Sequence, residues 1–231
     1  MFKDFEERFS PKTIADIVYS DDETKGLIED LVSGARPFPV TASKCGILLY
    51  GLPGTGKSAL ATMLPDAIER ARGGTEAYAN IVRVQHGNNG TQMLKGLQDR
   101  SKLMPWGSFN YFVLDEVDNL TDDAMAALKS VMNTPKTLWV MTTNHIGKID
   151  YAVRDRCHCI AFNAAPAERW RPLARRILQH ARISNITDAQ LDAIIKPYNG
   201  SARGITDAIV DFANKVHRRN AAKLTAVSTV V

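Results

Sequence analysis

The sequence has little cysteine and no long apolar segment, and each absence excludes a class of protein. Its three cysteines, at positions 45, 157 and 159, are too few for the disulfide framework of a small secreted domain. No apolar run approaches the roughly 20 residues that a membrane-spanning helix needs. The first residues mix charged and aromatic side chains, which is not the pattern of a secretion signal. We therefore expect a protein of the reducing cytoplasm with no membrane partner.

Internal repeats, low-complexity tracts and an extreme overall charge are also absent. With 231 residues, 45% of them apolar, and a net charge of +4, the chain is long enough to bury a full core. The charge is uneven, because residues 164–231 contain 11 Lys and Arg but only five Asp and Glu. A basic segment of this kind is typical of a polyanionic partner, an acidic neighbouring subunit or a solvated face, and these alternatives stay open.

The segment at residues 51–58 carries the strongest chemical pattern in the chain. Its sequence, Gly-Leu-Pro-Gly-Thr-Gly-Lys-Ser, follows an apolar run typical of a buried strand and precedes a helical pattern. The glycines allow a tight turn in which successive N–H groups face an anion, and the helix adds the positive end of its dipole. The pattern predicts a nucleoside triphosphate site formed by Gly51, Pro53, Gly54, Thr55, Gly56, Lys57, Ser58 and Ala59.

Two acidic residues are expected to complete this site. Asp115 and Glu116 end a run of four apolar residues, which places them at the carboxyl end of a buried parallel strand, where α/β sheets bind ligands. We expect Ser58 and Asp115 to hold Mg²⁺, and Lys57 to contact the β- and γ-phosphates. Glu116 is then placed to polarise the attacking water.

A further buried strand is predicted to end at Asn144, after the apolar run that starts at residue 138. Its amide is expected to orient the attacking water or to contact the γ-phosphate. Cys157, His158 and Cys159 invite a zinc interpretation, but adjacent side chains on a strand point to opposite faces. Because no second ligand pair follows at the usual spacing, we do not assign a metal there.

Alternating strand and helix patterns predict an α/β domain, with a parallel sheet and flanking helices, over residues 1–163. From Pro166 the pattern is wholly helical, so residues 164–231 are expected to form a small all-helical domain. Three local expectations accompany this division. Residues 8–18 are predicted to form an extended arm, the helix after the glycine loop to kink or end near Pro65, and residues from 221 onward to form a loose tail.

These motifs, in their order along the chain, resemble those of AAA+ ATPases and, more narrowly, of the small subunits of sliding-clamp loaders. The order is Gly-x-x-Gly-x-Gly-Lys-Ser, Asp-Glu-x-Asp, Thr-Thr-Asn, Arg-Asp-Arg-Cys and Gly-x-x-Arg. The segment at residues 8–18 is similar to the arm of that family that borders the adenine, which implies base contacts from Pro11, Ile17 and Val18. The resemblance extends from Arg8 to about Asn220 and implies a P-loop NTPase fold with a helical lid.

The resemblance also implies ATP and Mg²⁺ as cofactors, with hydrolysis at a subunit interface of a homo- or hetero-oligomer. Asn144 would sense the γ-phosphate, and Arg203 would couple it to the lid. Arg156, or failing it Arg154, would act on the ATP of the next subunit. One departure affects this last role, because Asp155 stands where clamp loaders carry serine.

Three functions remain open at this point. A DNA-replication motor of clamp-loader type, from a virus or plasmid, would use a sliding clamp and DNA, with Lys95, Arg100 and Lys102 facing the DNA; a viral protein would act in the host cytoplasm. A helicase loader or transposition regulator is the second, and the absence of the family's C-terminal collar from this sequence favours both this and the third function over the first, which the arm and the Arg-Cys turn favour. An AAA+ remodeller of a protein partner is the third, although no aromatic pore motif follows the second strand.

Overall fold

The computed structural model describes residues 2, 4–41 and 43–228, with side chains described through residue 220. The chain divides into two units, which are treated separately below. The larger comprises residues 11–163, and the smaller combines the residues up to Ser10 with those from Ala164 onward. Within the described ranges, no helix is both long and apolar enough to cross a membrane.

Strands and helices alternate along the larger unit, and helices alone follow. The strands are β1 (Gly46–Tyr50), β2 (Ala79–Arg83), β3 (Asn110–Asp115), β4 (Thr137–Thr143) and β5 (Cys157–Ala161). The helices are α1 (Phe5–Phe9), α2 (Asp22–Ser33), α3 (Lys57–Ala71), α4 (Thr91–Ser101), α5 (Asp122–Met132), α6 (Tyr151–Asp155), α7 (Ala167–His180), α8 (Asp188–Ile195) and α9 (Ala202–Ser228).

The sheet of the larger unit is parallel, in the order β2-β3-β4-β1-β5. Its central strands are apolar on both faces because helices cover both. One face packs Phe112 and Trp139, whose rings stack at 4.4 Å, against α4 and α5. The other face packs residues such as Val113 and Val140 against α2 and α3. The α/β fold with flanking helices is therefore confirmed.

Side-chain caps explain where several helices begin. Asp21 accepts the N–H of Thr24 at 2.6 Å and starts α2, which ends at Gly34 with φ of +81°. Thr121 and Thr187 cap α5 and α8 in the same way. The Ser20 hydroxyl donates to the capping carboxylate of Asp21 at 2.6 Å.

Two local predictions are corrected by the structure. Helix α3 does not end near Pro65 but continues to Ala71. Proline removes one hydrogen bond, but Leu64 and Ile68 are fully buried in the core, and their packing outweighs that loss. The arm at residues 8–18 is not extended throughout, since a 3₁₀ turn forms at Ile14–Asp16.

The smaller unit is built around α7, α8 and α9. Trp170, Ile177 and Leu191 are among its buried residues, and Arg171 makes a bidentate ion pair with Asp192 at 2.8 Å. Helix α9 continues through Ser228, where a tail was predicted from residue 221, because the segment is rich in alanine and other good helix formers. Residues 229–231 of that tail lie outside the described residues.

The first ten residues differ from the predicted domain ranges. They group with the helical unit and not with the sheet. Phe9 is buried, with its ring 5.5 Å from that of His180, and the Arg176 guanidinium lies 5.9 Å from its centroid. These contacts explain the grouping, because an apolar residue in a short N-terminal helix needs a partner surface.

Candidate functional site

The loop between β1 and α3 has the backbone that its glycines predict. Gly51, Gly54 and Gly56 have φ values of +139°, +79° and +105°, in the region that favours glycine. A Cβ atom on Gly51 would lie 2.7 Å from the Phe162 carbonyl oxygen, so a side chain cannot be accommodated there. The Thr55 hydroxyl donates to the Leu52 carbonyl at 3.0 Å and stabilises the turn. The loop leads directly into the N-terminus of α3, an arrangement suited to anions.

Lys57 is the first residue of α3, and only 6% of it is exposed. Its ammonium group donates to the carbonyl oxygens of Gly51 at 2.9 Å and Leu52 at 2.6 Å. Burial lowers the pKa of Lys57, and the charges of Asp115 and Asp118 partly oppose that shift. The cation of the glycine loop is therefore held by two backbone carbonyls of that loop.

Ser58, Asp115 and Thr142 meet at the carboxyl edge of the sheet. One Asp115 carboxylate oxygen, Oδ1, accepts from the Ser58 hydroxyl at 2.7 Å and from the Thr142 hydroxyl at 2.6 Å. Mg²⁺ takes hard oxygen ligands and is usually held by one or two carboxylates together with substrate phosphates. A hydroxyl and a carboxylate at this separation, beside an anion-binding loop, fit that ion.

Glu116 has left-handed backbone angles, φ +60° and ψ +49°, which are uncommon for any residue but glycine. Its backbone N–H donates to the Thr142 hydroxyl at 3.0 Å, which fixes the turn after β3. Its carboxylate is bound by Arg83 at 3.0 Å and by the Asn119 amide at 3.4 Å. The side chain of the predicted base thus lies at the sheet edge, in contact with a cation.

Arg83, Asn119 and Thr142 were not identified from the sequence. Arg83 ends β2 and pairs in register with Asp115 on β3. That neighbourhood depends on strand order, which hydrophobic patterns do not give. The sequence does show a polar residue at the end of each apolar run. Because the carboxyl ends of parallel strands lie at the same edge of the sheet, these residues are expected to be close together.

Asn144 follows β4 and is exposed at the same edge. The next residue, His145, places its ring nitrogen Nδ1 2.8 Å from Oδ2 of Asp118. Asp118 belongs to the 3₁₀ turn Val117–Asn119, directly after the predicted metal ligand Asp115 and the predicted base Glu116. The loops after β3 and β4 are therefore joined by a side-chain contact beside Asn144.

The two arginines considered as interfacial residues have different surroundings. Arg156 donates from Nε to the Asn133 side chain at 2.9 Å and from Nη1 to the Ala152 carbonyl at 2.8 Å. Arg154 lies 6.0 Å from the centroid of the Tyr151 ring, and its Nε makes no hydrogen bond within the described part of the chain. Arg203, in the first turn of α9, is exposed in the helical unit.

The remaining predicted contacts lie in the N-terminal segment of the larger unit and at α4. Ile17 is buried in the core formed with α2 and α3, whereas Pro11 and Val18 are partly exposed. The basic residues near the end of α4 are exposed, but two of them have partners. Arg100 donates to Asn80 at 2.8 Å and Lys102 lies 3.5 Å from Asp99, while Lys95 is exposed on α4.

One family model and several known proteins match this chain. The model of the ATPase family associated with various cellular activities (AAA) matches residues 47–163. The chain is 26% identical over 216 residues to replication factor C small subunit 2 of Pyrobaculum islandicum, covering 88% of this chain and 61% of that protein. It is 28% identical over 205 residues to the replication factor C small subunit of Thermofilum pendens, covering 85% and 58%.

A solved structure gives the same fold. The RuvB Holliday junction branch migration motor of Thermotoga maritima superposes with a TM-score of 0.65 at 18% identity, covering 95% of this chain and 67% of that one. At this identity the likeness concerns the fold alone. The chain spans about three fifths of the length of the replication factor C relatives.

Proposed function

This chain belongs to the AAA family of ATPases, and from that premise we propose that it is an ATP-hydrolysing motor of DNA replication, of clamp-loader type. It works as an oligomer whose ATP sites lie between subunits. One observation carries the proposal: the glycine loop, Ser58 and the two acids after β3 come together at one sheet edge, in a chain similar to replication factor C small subunits.

Each side chain has a role in phosphoryl transfer. The backbone N–H groups of the loop and the ammonium of Lys57 bind the phosphates. Ser58 and Asp115 hold Mg²⁺, which when bound neutralises charge on the β- and γ-phosphates. Glu116 polarises the attacking water, and Arg83 controls how freely that carboxylate moves, since the two are paired at 3.0 Å.

The remaining roles concern sensing and assembly. Asn144 orients the water or contacts the γ-phosphate, and Arg203 couples the nucleotide to the helical lid. Arg156 acts on the neighbouring subunit's ATP, with its two hydrogen bonds fixing the direction of the guanidinium. An arginine supplied in this way raises the rate of hydrolysis by roughly 10³–10⁵-fold. Pro11, Ile17 and Val18 border the adenine.

The partners follow from the same proposal. Lys95, Arg100 and Lys102 contact the DNA backbone, and the protein partner is a sliding clamp, or a helicase if the chain is a helicase loader. We place the protein in the cytoplasm, or the host cytoplasm for a viral source, because its three cysteines are free thiols.

Native mass measurement tests this function. With a non-hydrolysable ATP analogue the parent should assemble, and primer–template DNA should bind to the assembly in preference to blunt duplex. The Lys57→Ala variant is the control and should stay unassembled. Assembly without any preference for the primer junction would favour a helicase loader or transposition regulator. A monomer under all conditions would refute the oligomeric motor.

A further inference from the structure

Asp118 and His145 form a pair at the sheet edge, and neither residue is among those with a role in the ATP hydrolysis proposed above. Asp118 is nearly buried, with 6% of its side chain exposed, whereas 62% of the His145 side chain is exposed. Their 2.8 Å contact joins the turn after the catalytic acids to the loop after β4. The contact with the buried carboxylate of Asp118 therefore fixes the orientation of a ring that would otherwise rotate freely in solvent.

Thr143 ties the same loop a second time. Its hydroxyl accepts the backbone N–H of His145 at 2.9 Å, which closes a tight turn around Asn144. His145 is therefore held twice, by the Asp118 carboxylate through its ring and by the Thr143 hydroxyl through its backbone, while Asn144 itself is exposed at the sheet edge.

The charge of Asp118 belongs to the same electrostatic environment as the phosphate site. Burial alone would raise the pKa of Asp118, but the contact with His145 and the nearby polar groups of Thr143 and of its own backbone outweigh burial and lower it. The charge of Asp118 in turn partly opposes the lowering of the Lys57 pKa. Within the described residues Oδ1 of Asp118 is buried without a hydrogen-bond partner, so the 2.8 Å contact of Oδ2 with His145 is what ties this carboxylate to the loop.

We infer that Asp118 and His145 are positioning residues for hydrolysis, which fix the turn that presents Asn144 to the attacking water and the γ-phosphate. Neither residue touches the nucleotide in this role; they act through Asn144. The inference rests on the proposed function, because it needs Asn144 to act in the ATP site. Misplacing a reacting group by about 1 Å costs about 10²-fold in rate, so even a small displacement of this turn should be measurable.

Steady-state ATPase and ATP-analogue binding assays on the full chain test the inference. His145→Ala should lower kcat by roughly tenfold or more and leave the Kd for the analogue within about twofold, since the phosphate loop is unchanged. His145→Asn should recover most of kcat, because its amide nitrogen can donate to Asp118 from a position near that of Nδ1. His86→Ala, at an exposed histidine after β2, is the matched control and should behave like the parent.

A double variant separates positioning from a structural effect. If His145 acts through Asn144, then Asn144→Ala with His145→Ala should be no slower than Asn144→Ala alone. Losses that multiply, or a His145→Ala enzyme with the parent's kcat, would overturn the inference. The proposed function fails differently, because then the parent itself would not hydrolyse ATP or Glu116→Gln would be as active as the parent.

Discussion

Glu116 is held in a strained backbone conformation, and such strain is concentrated at functional sites because the surrounding structure must enforce it. Here the enforcing contact is the hydrogen bond from its N–H to Thr142. The conformation turns the chain sharply at the end of β3, so that Asp115 and Glu116 have different partners. Asp115 contacts Ser58, and Glu116 contacts Arg83. Two adjacent acids thereby obtain separate roles.

Replacing Glu116 by glutamine should separate binding from catalysis. An amide cannot polarise water as a carboxylate does, so turnover should fall by about 10²-fold or more, while ATP still binds to the unchanged loop. Lys57→Ala should instead lose binding, because it removes the cation that we propose contacts the phosphates. Phosphate release and fluorescent-nucleotide binding measure the two effects. Parental turnover in Glu116→Gln would show that another group is the base.

The glycine loop, Lys57, Ser58 and the acids could be predicted because a short, fixed spacing carries their chemistry. The structure brings Ser58 and Asp115 within 2.7 Å of each other, as that pattern indicates. Arg83 and His145 could not be predicted, because their contacts depend on which strands are neighbours and on loop geometry. Their side chains act across 33 and 27 residues of sequence, a separation at which no local pattern operates.

At the scale of elements, one buried carboxylate links α3 to the segment before β3. Glu69 accepts from the Tyr111 hydroxyl at 2.6 Å and from the backbone N–H and hydroxyl of Ser108. Gly107 packs against the same carboxylate so closely that a Cβ atom would lie 2.7 Å from Oε1. The helix that begins at the phosphate loop is therefore anchored at its far end as well.

Glu69→Gln should lower the free energy of unfolding by about 2 kcal/mol at pH 7, since hydrogen bonds to a charged acceptor are lost. Burial raises the pKa of Glu69, but bonds from Tyr111 and Ser108 outweigh it and lower the pKa overall. A carboxyl group whose pKa is lower in the folded state stabilises the fold at pH values above its pKa in the unfolded chain. That stabilisation is lost as the pH falls through the folded-state pKa. The difference from the parent should hence shrink below about pH 4.

Urea titrations at several pH values check this prediction. Glu29→Gln removes the same charge from an exposed position on α2 and should leave the urea midpoint unchanged. An equal midpoint for Glu69→Gln and Glu29→Gln at pH 7 would mean that the buried hydrogen bonds do not stabilise the fold.

Helix α4 carries the second prediction at this scale. If Lys95, Arg100 and Lys102 contact phosphates, replacing all three by alanine should weaken DNA binding and reduce the slope of log K against log salt by about 2–3. The contacts of Arg100 with Asn80 and of Lys102 with Asp99 are solvent-exposed and easily exchanged. Fluorescence anisotropy across a salt series measures the slope. An unchanged slope would show that these charges are only solvated.

Elements were predictable where an apolar run ends in polar residues, as in β3, which ends at Asp115. Elements were not predictable where tertiary packing overrides the local conformational preference of a residue. Pro65 would end an isolated helix, yet α3 continues because the core buries its next turn. The contact of Phe9 with the helical unit likewise depends on tertiary structure, since nothing within residues 1–10 identifies their partner.

For the whole molecule, we propose that each ATP site is completed by a neighbouring subunit. In this proposal the chain supplies the loop, the metal ligands and the base, and Arg156 provides the charge for the next site. Removing Arg156 should therefore leave nucleotide binding intact and slow hydrolysis in the neighbour. Arg154→Ala is the control two residues away, and its loss should matter less.

Mixing Arg156→Ala with Glu116→Gln tests that claim most directly. Each variant alone should hydrolyse ATP poorly, but some interfaces in the mixture pair an intact Glu116 with an intact Arg156 from the neighbouring subunit. ATPase activity should therefore reappear on mixing and be greatest near equal proportions. In the parent, activity per subunit should rise with protein concentration. No recovered activity at any ratio, together with a flat specific activity of the parent, would contradict the proposal.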